Sequence, residues 1–201
     1  MAWETREKIE HTILKCYSYG SRVYGVNNPA SDYDFILVVK PNESDPIDFV
    51  YSVENHKANV DFKVYSESLF IKNIEAHTIS VLECIFQKQD DPYVGYFKLN
   101  YNQLRHAISS ASSVSYVKCK KKMKENYNYN GKKSMYHSLR ILNFGIQIAK
   151  YGRIVKYSSA NHFNGKLFAM GNDWDEIDKQ FKPIYNMLKT HFKKVAPMEV
   201  E

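Results

Sequence analysis

Five apolar residues in unbroken succession, Phe35-Ile36-Leu37-Val38-Val39, follow directly on two aspartates one residue apart, Asp32 and Asp34. A short apolar run that does not alternate fits a strand covered on both faces, at the centre of a sheet. Upstream stands Gly20-Ser21-Arg22-Val23-Tyr24-Gly25, with ten residues between Ser21 and Asp32. Side chains two apart on a strand point the same way, so the Asp32 and Asp34 carboxylates are expected to aim together. Adjacent carboxylates repel, and a hard divalent cation is the usual remedy, because Mg2+ prefers oxygen ligands and substrate phosphates. A Gly-Ser turn can offer backbone N–H groups and a hydroxyl to such phosphates.

Together these residues resemble the signature of the DNA polymerase β-like nucleotidyltransferase superfamily: Gly-Ser, a spacer, then Asp-x-Asp. The fuller form, Gly20-Ser21-Arg22-x-x-Gly25 followed by Ser31-Asp32-Tyr33-Asp34, is similar to a group of its stand-alone members, some associated with RNA repair. The resemblance implies a third carboxylate on a neighbouring strand. Asn59-Val60-Asp61-Phe62-Lys63-Val64-Tyr65 fits it, with Asp61 at the strand start and Phe62 and Val64 alternating toward a core.

That resemblance implies a reaction in which an acceptor hydroxyl attacks the α-phosphorus of an NTP and pyrophosphate departs. It implies two Mg2+ (or Mn2+) ions, with Asp32 and Asp34 bridging both and Asp61 holding the one beside the acceptor hydroxyl. The hydroxyl and backbone of Ser21 would then contact the β- and γ-phosphates, Gly20 would let the chain approach them closely, and Arg22 either pairs with a phosphate or braces the loop through a carboxylate. Gly25 supplies a turn conformation, and Ser31 holds the loop by a local side-chain bond. The resemblance also covers Lys133 to Gly152, similar to that group's helix carrying a lysine, a histidine and an arginine. Lys133, His137 and Arg140 are its cationic stripe, expected to face the triphosphate or the acceptor.

Charge is divided unevenly along the 201 residues. Residues 1–100 carry 10 Lys and Arg against 15 Asp and Glu, whereas residues 101–201 carry 18 against 7. An acidic half joined to a basic half suits a protein that handles polyanions. Hydrophobic residues make up 44% of the chain, with 16 Tyr and 11 Phe, which excludes a mainly disordered chain. No apolar run approaches the length of a membrane span, and the N-terminus lacks a signal-peptide pattern, so no membrane partner and a cytoplasmic location are expected. Cys16, Cys84 and Cys119 are widely spaced and form no Cys-x-x-Cys pair, which argues against a disulfide framework or a zinc site.

The expected fold class is α/β of the α+β type, a small mixed sheet with flanking helices plus a helical C-terminal half. Residues 1–97 would form the catalytic domain and residues 98–201 a basic helical one. A short helix is expected over residues 3–11, then strands over 12–19, 35–39 and 61–65. The breakers Pro41, Asn42, Ser44, Asp45 and Pro46 mark 40–56 as a surface loop. Helices are expected from Ser66 and over 79–86, and the chain reads as helical from Leu99. Met135, Leu139, Leu142, Ile146 and Ala149 fall on one side of a helix over 133–151, opposite Lys133, His137 and Arg140. Before it lie five lysines (118, 120, 121, 122 and 124) and a tyrosine-rich loop over 126–131, a combination suited to single-stranded nucleic acid. The residues from Val195 read as a frayed tail.

The acceptor is read first as an RNA end, from the basic half and the tyrosine–lysine segment. A protein hydroxyl is the alternative, since some small members of the group act as antitoxins that modify a partner toxin. A small cationic drug comes third. A catalytically silent RNA-binding or interaction module on the same fold is the reading from a different class.

Overall fold

In a computed structural model of the chain, residues 9–198 are described, and they form two compact units. One holds the chain up to Glu75 together with Ser80–Tyr96. The other holds Ala76–Ile79 together with the chain from Phe97 onward. The expected helix over residues 3–11 lies largely outside the described residues, and residues 9–11 are not helical.

The first unit is built on a four-stranded mixed sheet: β1 (Thr12–Tyr19), β2 (Tyr33–Lys40), β3 (Val50–Asn55) and β4 (Val60–Ser66), in the order β1-β2-β4-β3. β2 runs antiparallel to β1 and parallel to β4, and β3 returns antiparallel on the far edge. Ile36, Leu37, Val38 and Val39 are all buried, as an unalternating apolar run requires of a central strand. One face buries Leu37, Val39, Val53 and Val64, with Phe49, Tyr51 and Phe62 packed beside them. On the other face Tyr17 and Tyr65 meet Phe70 at 5.7 and 6.1 Å between ring centroids, and Phe70 meets Tyr93 at 5.3 Å. Phe70 belongs to α2 (Glu67–Glu75), which starts where the Ser66 Oγ accepts from the Leu69 N–H at 3.4 Å. α1 is a single turn (Ser21–Tyr24), and α3 spans Ile79–Ile85.

β3 corrects the expected loop over 40–56. The breakers end at Pro46, and Tyr51 and Val53 then alternate inward from Val50, Ser52 and Glu54, a half-buried edge strand that a Pro- and Asn-rich window masks.

The second unit is helical: α4 (Tyr101–Lys124), α5 (Asn128–Tyr151), α6 (Asn161–Ala169) and α7 (Trp174–Val195). The Asn100 side chain caps α4 by accepting from the Gln103 N–H at 2.9 Å, and Asp173 caps α7 from the Glu176 N–H at 2.9 Å. α4 and α5 run antiparallel and close enough for buried Ser138 Oγ to donate to the Ser112 carbonyl at 2.8 Å. The stripe Met135, Leu139, Leu142, Ile146 and Ala149 is buried as expected.

Three expectations are corrected here. α5 begins at Asn128, so most of the tyrosine-rich loop is its first turn, and Asn126, at φ 62°, makes the reversal almost alone. The side opposite the stripe is not simply a cationic face: Arg140, Phe144 and Ile148 are buried there as well. A helix packed against α4, α6 and α7 has little surface left for water. The tail is pinned at its start, because Ala196 is buried and its carbonyl accepts from Arg105 Nη1 at 2.9 Å; residues 199–201 lie outside the described chain. No helix among the described residues is long and apolar enough to cross a membrane.

Candidate functional site

β1 ends at Tyr19 opposite Asp34, so the chain must turn away directly over that carboxylate. Gly20 does so at φ 77°, a backbone region that side chains rarely tolerate. A Cβ there would lie 2.1 Å from Asp34 Oδ2. Glycine is needed twice over, once for the dihedral and once for the close approach. Ser21 then opens α1, which closes on Gly25 in the left-handed region. Tyr24, at its end, is buried and donates its hydroxyl to the buried Glu83 carboxylate of α3, which anchors the turn from below.

Arg22 braces the loop, through backbone and not through a carboxylate. Its Nη2 donates to the Ser31 carbonyl at 2.8 Å and its Nε to the Asp32 carbonyl at 3.3 Å. Its guanidinium also lies 3.7 Å from the Tyr33 ring centroid. Ser31 Oγ accepts from the Asn28 N–H at 2.9 Å, the local bond expected of it. The Gly-Ser turn and the Asp-x-Asp segment are therefore tied together before any ligand arrives.

Asp34 and Asp61 are register partners across the parallel strands β2 and β4, and Glu54 of β3 partners Asp61 on its other side. Register partners share a face of the sheet, so Asp34, Asp61 and Glu54 stand in one row. Asp32 lies one residue before β2, outside the strand, yet close enough for its charge to act on Asp61. The Asp61 carboxyl is pushed above the usual range, first by burial and then by the charges of Asp32 and Glu54, with His56 pulling the other way. Glu54 was missed in the sequence because it sat in an assumed loop. The alternation of Val50, Ser52 and Glu54 against Tyr51 and Val53 is the signal that would have found it.

No family model matches the chain, and no curated protein matches it. Among solved structures it is similar to a nucleotidyltransferase-like protein from Exiguobacterium sibiricum 255-15, at 7% identity and a TM-score of 0.32, over 92% of this chain and 68% of that one.

Mg2+ or Mn2+ is the group that the sequence resemblance implies. A row of carboxylates in which burial, and then the charges of Asp32 and Glu54, raise the proton affinity of Asp61 is an oxygen donor set short of positive charge, which suits a hard cation. Among the described residues, however, no group of three or more His, Cys, Asp or Glu side chains is arranged to hold a metal ion. Other ligands of an octahedral shell would come from substrate phosphates and water, as is usual for Mg2+.

Lys133, His137 and Arg140 belong to the second unit and differ from one another. Lys133 is exposed, with its Nζ 5.5 Å from the Tyr129 ring centroid. Arg140 is buried over the rings of Tyr136 and Phe144 and donates from Nη2 to His137 Nδ1 at 2.7 Å. A guanidinium can only donate, so Nδ1 carries the lone pair and the imidazole proton sits on Nε2. Burial above all, then Arg140 and Lys118, push His137 down to about 3. His137 is thus neutral, not cationic, at ordinary pH.

Proposed function

We propose that this chain is a metal-dependent nucleotidyltransferase moving a nucleoside monophosphate from an NTP to an acceptor hydroxyl, with an RNA end as the acceptor. The observation that supports this best is the pairing of Asp34 with Asp61 across adjacent parallel strands, with Gly20 pressed against the Asp34 carboxylate. In the reaction the acceptor oxygen bonds to the α-phosphorus, the bond from that phosphorus to the bridging oxygen breaks, and pyrophosphate leaves. Mg2+ or Mn2+ held by Asp32, Asp34 and Asp61 would stabilise the charge that develops on the phosphates.

The chain's own residues do the rest. Gly20 lets the backbone come close, and Ser21 offers its hydroxyl to the β- and γ-phosphates. Arg22 holds Ser31 and Asp32 in place, which fixes the loop before substrate binds. Asp61, the acid whose proton affinity burial and then its neighbours raise, takes the proton of the acceptor hydroxyl.

Labelled NTPs of all four kinds, incubated with the protein, Mg2+ or Mn2+ and total cellular RNA, test the proposal. RNA should become labelled, and Asp34→Asn should lower the rate at least roughly 100-fold. Label on a co-purifying protein instead would assign the acceptor to a protein hydroxyl. The 18 Lys and Arg against 7 Asp and Glu of residues 101–201 favour one other reading, a silent nucleic-acid-binding module on this fold. No label with any nucleotide, together with RNA binding that Asp32→Ala leaves untouched, would establish it.

A further inference from the structure

The segment from Lys118 to Lys133 contributes no residue to the row of carboxylates or to the turn over residues 20–25. The buried stripe of α4, running through Ser112, Ser115, Cys119 and Met123, leaves Lys118, Lys121 and Lys124 exposed and Lys122 at its rim. The helix register is fixed by the Ser112–Ser138 bond and by Met123, whose side chain fills the space over Gly131. This sets Lys118 and Lys122 at the level of Lys133 and His137. The crowding is felt electrostatically: after burial, Lys118 and Lys133 both push the Lys122 amine down, and Lys118 helps keep His137 neutral.

Acid to offset this charge is scarce. Glu125 is the single carboxylate in residues 101–150, and it lies 3.9 Å from Lys121. Asp178 of α7 accepts from the Tyr116 hydroxyl, and Tyr116 lies about 160° round the helix from Lys118. Where the seam ends, Tyr127 is 62% exposed. Clustered like charges strain a fold and attract counter-charge, and an aromatic face at the end of such a cluster offers stacking to an unpaired base.

We infer that the seam between the C-terminal half of α4 and the start of α5 is a track for the phosphodiester backbone of a single-stranded nucleic acid. Lys118, Lys122 and Lys133 meet its phosphates, and Tyr127 stacks one base. This deepens the RNA-acceptor reading while standing on residues that take no part in the chemistry.

Fluorescence anisotropy with a labelled oligouridine, an oligothymidine of equal length and inorganic pyrophosphate as competitor tests it, in the Asp34→Asn background. The triple variant Lys118→Gln, Lys122→Gln, Lys133→Gln should make the log–log salt slope shallower by about 2, with no loss of melting temperature. Tyr127→Ala should weaken binding roughly tenfold. RNA binding whose salt slope the triple variant leaves intact would overturn the track, whatever the labelling assay gives. Displacement of the oligomer by stoichiometric pyrophosphate would also overturn it, by assigning the lysines to a single phosphate group. A labelling assay that fails while the slope shifts as stated would remove the enzyme and leave the track standing.

Discussion

Gly20 is the residue with least freedom in the site. A methyl group there would meet the Asp34 carboxylate at 2.1 Å and force a φ of 77° on a side-chain-bearing residue. Gly20→Ala should therefore shift Asp34 and cost roughly 100-fold in transfer rate, because small misplacements at a reacting centre are that expensive. Single-turnover kinetics with a melting curve would separate this from simple unfolding. Asp61 is an acid that the fold disfavours in its charged form, since its proton affinity is raised by burial and by Asp32 and Glu54. A raised carboxyl contributes its stability below the ordinary carboxylate range and loses it as pH rises through that range. Asp61→Asn should thus melt slightly higher than the parent at pH 7, with the difference vanishing near pH 3, while activity falls. Equal melting temperatures at pH 7 would show that the crowding is not felt.

Among the elements, α5 is the one whose surroundings sequence could not supply. Its periodicity gave the buried stripe, yet periodicity names one face and is silent on how many neighbours cover the others. Arg140 and Phe144 are buried because α4, α6 and α7 all pack on this helix. Gly145 belongs to that packing, since a Cβ there would lie 2.8 Å from Ile108 Cγ2 and 3.0 Å from Phe192 Cε2. Alanine normally favours a helix by up to about 1 kcal/mol over glycine. Here the wedge between α4 and α7 should win, so Gly145→Ala is expected to destabilise by about 1–2 kcal/mol in a urea titration. β3 shows the opposite failing: its alternation was present in the sequence, but the breakers before it drew the loop too long. With β3 came Glu54, the neighbour of Asp61 that no motif announces.

Over the whole chain, charge separates into an acidic half and a basic half. If RNA is the acceptor, its kcat/KM should fall linearly with salt on a log–log plot, by about 0.7 per phosphate engaged. The KM for NTP should change far less over the same range. Steady-state rates between low and physiological salt would check this, and a flat response for RNA would count against a polyanionic acceptor. The division into two compact units, each with its own core, is the frame within which that charge is distributed.

What the sequence determined by itself was local: the central strand from its apolar run, the turn from Gly20, the start of α2 at Ser66, and the helical character of the chain from Leu99 onward. These follow from short-range sterics and from which side chains avoid water, and neighbouring residues suffice to state both. The tertiary structure decided what touches what. It set Asp61 beside Asp34 and Glu54, turned Arg22 onto the carbonyls of Ser31 and Asp32, and made His137 neutral by burying it beside Arg140. Register and desolvation depend on chain segments far apart in sequence, and no window of residues contains them.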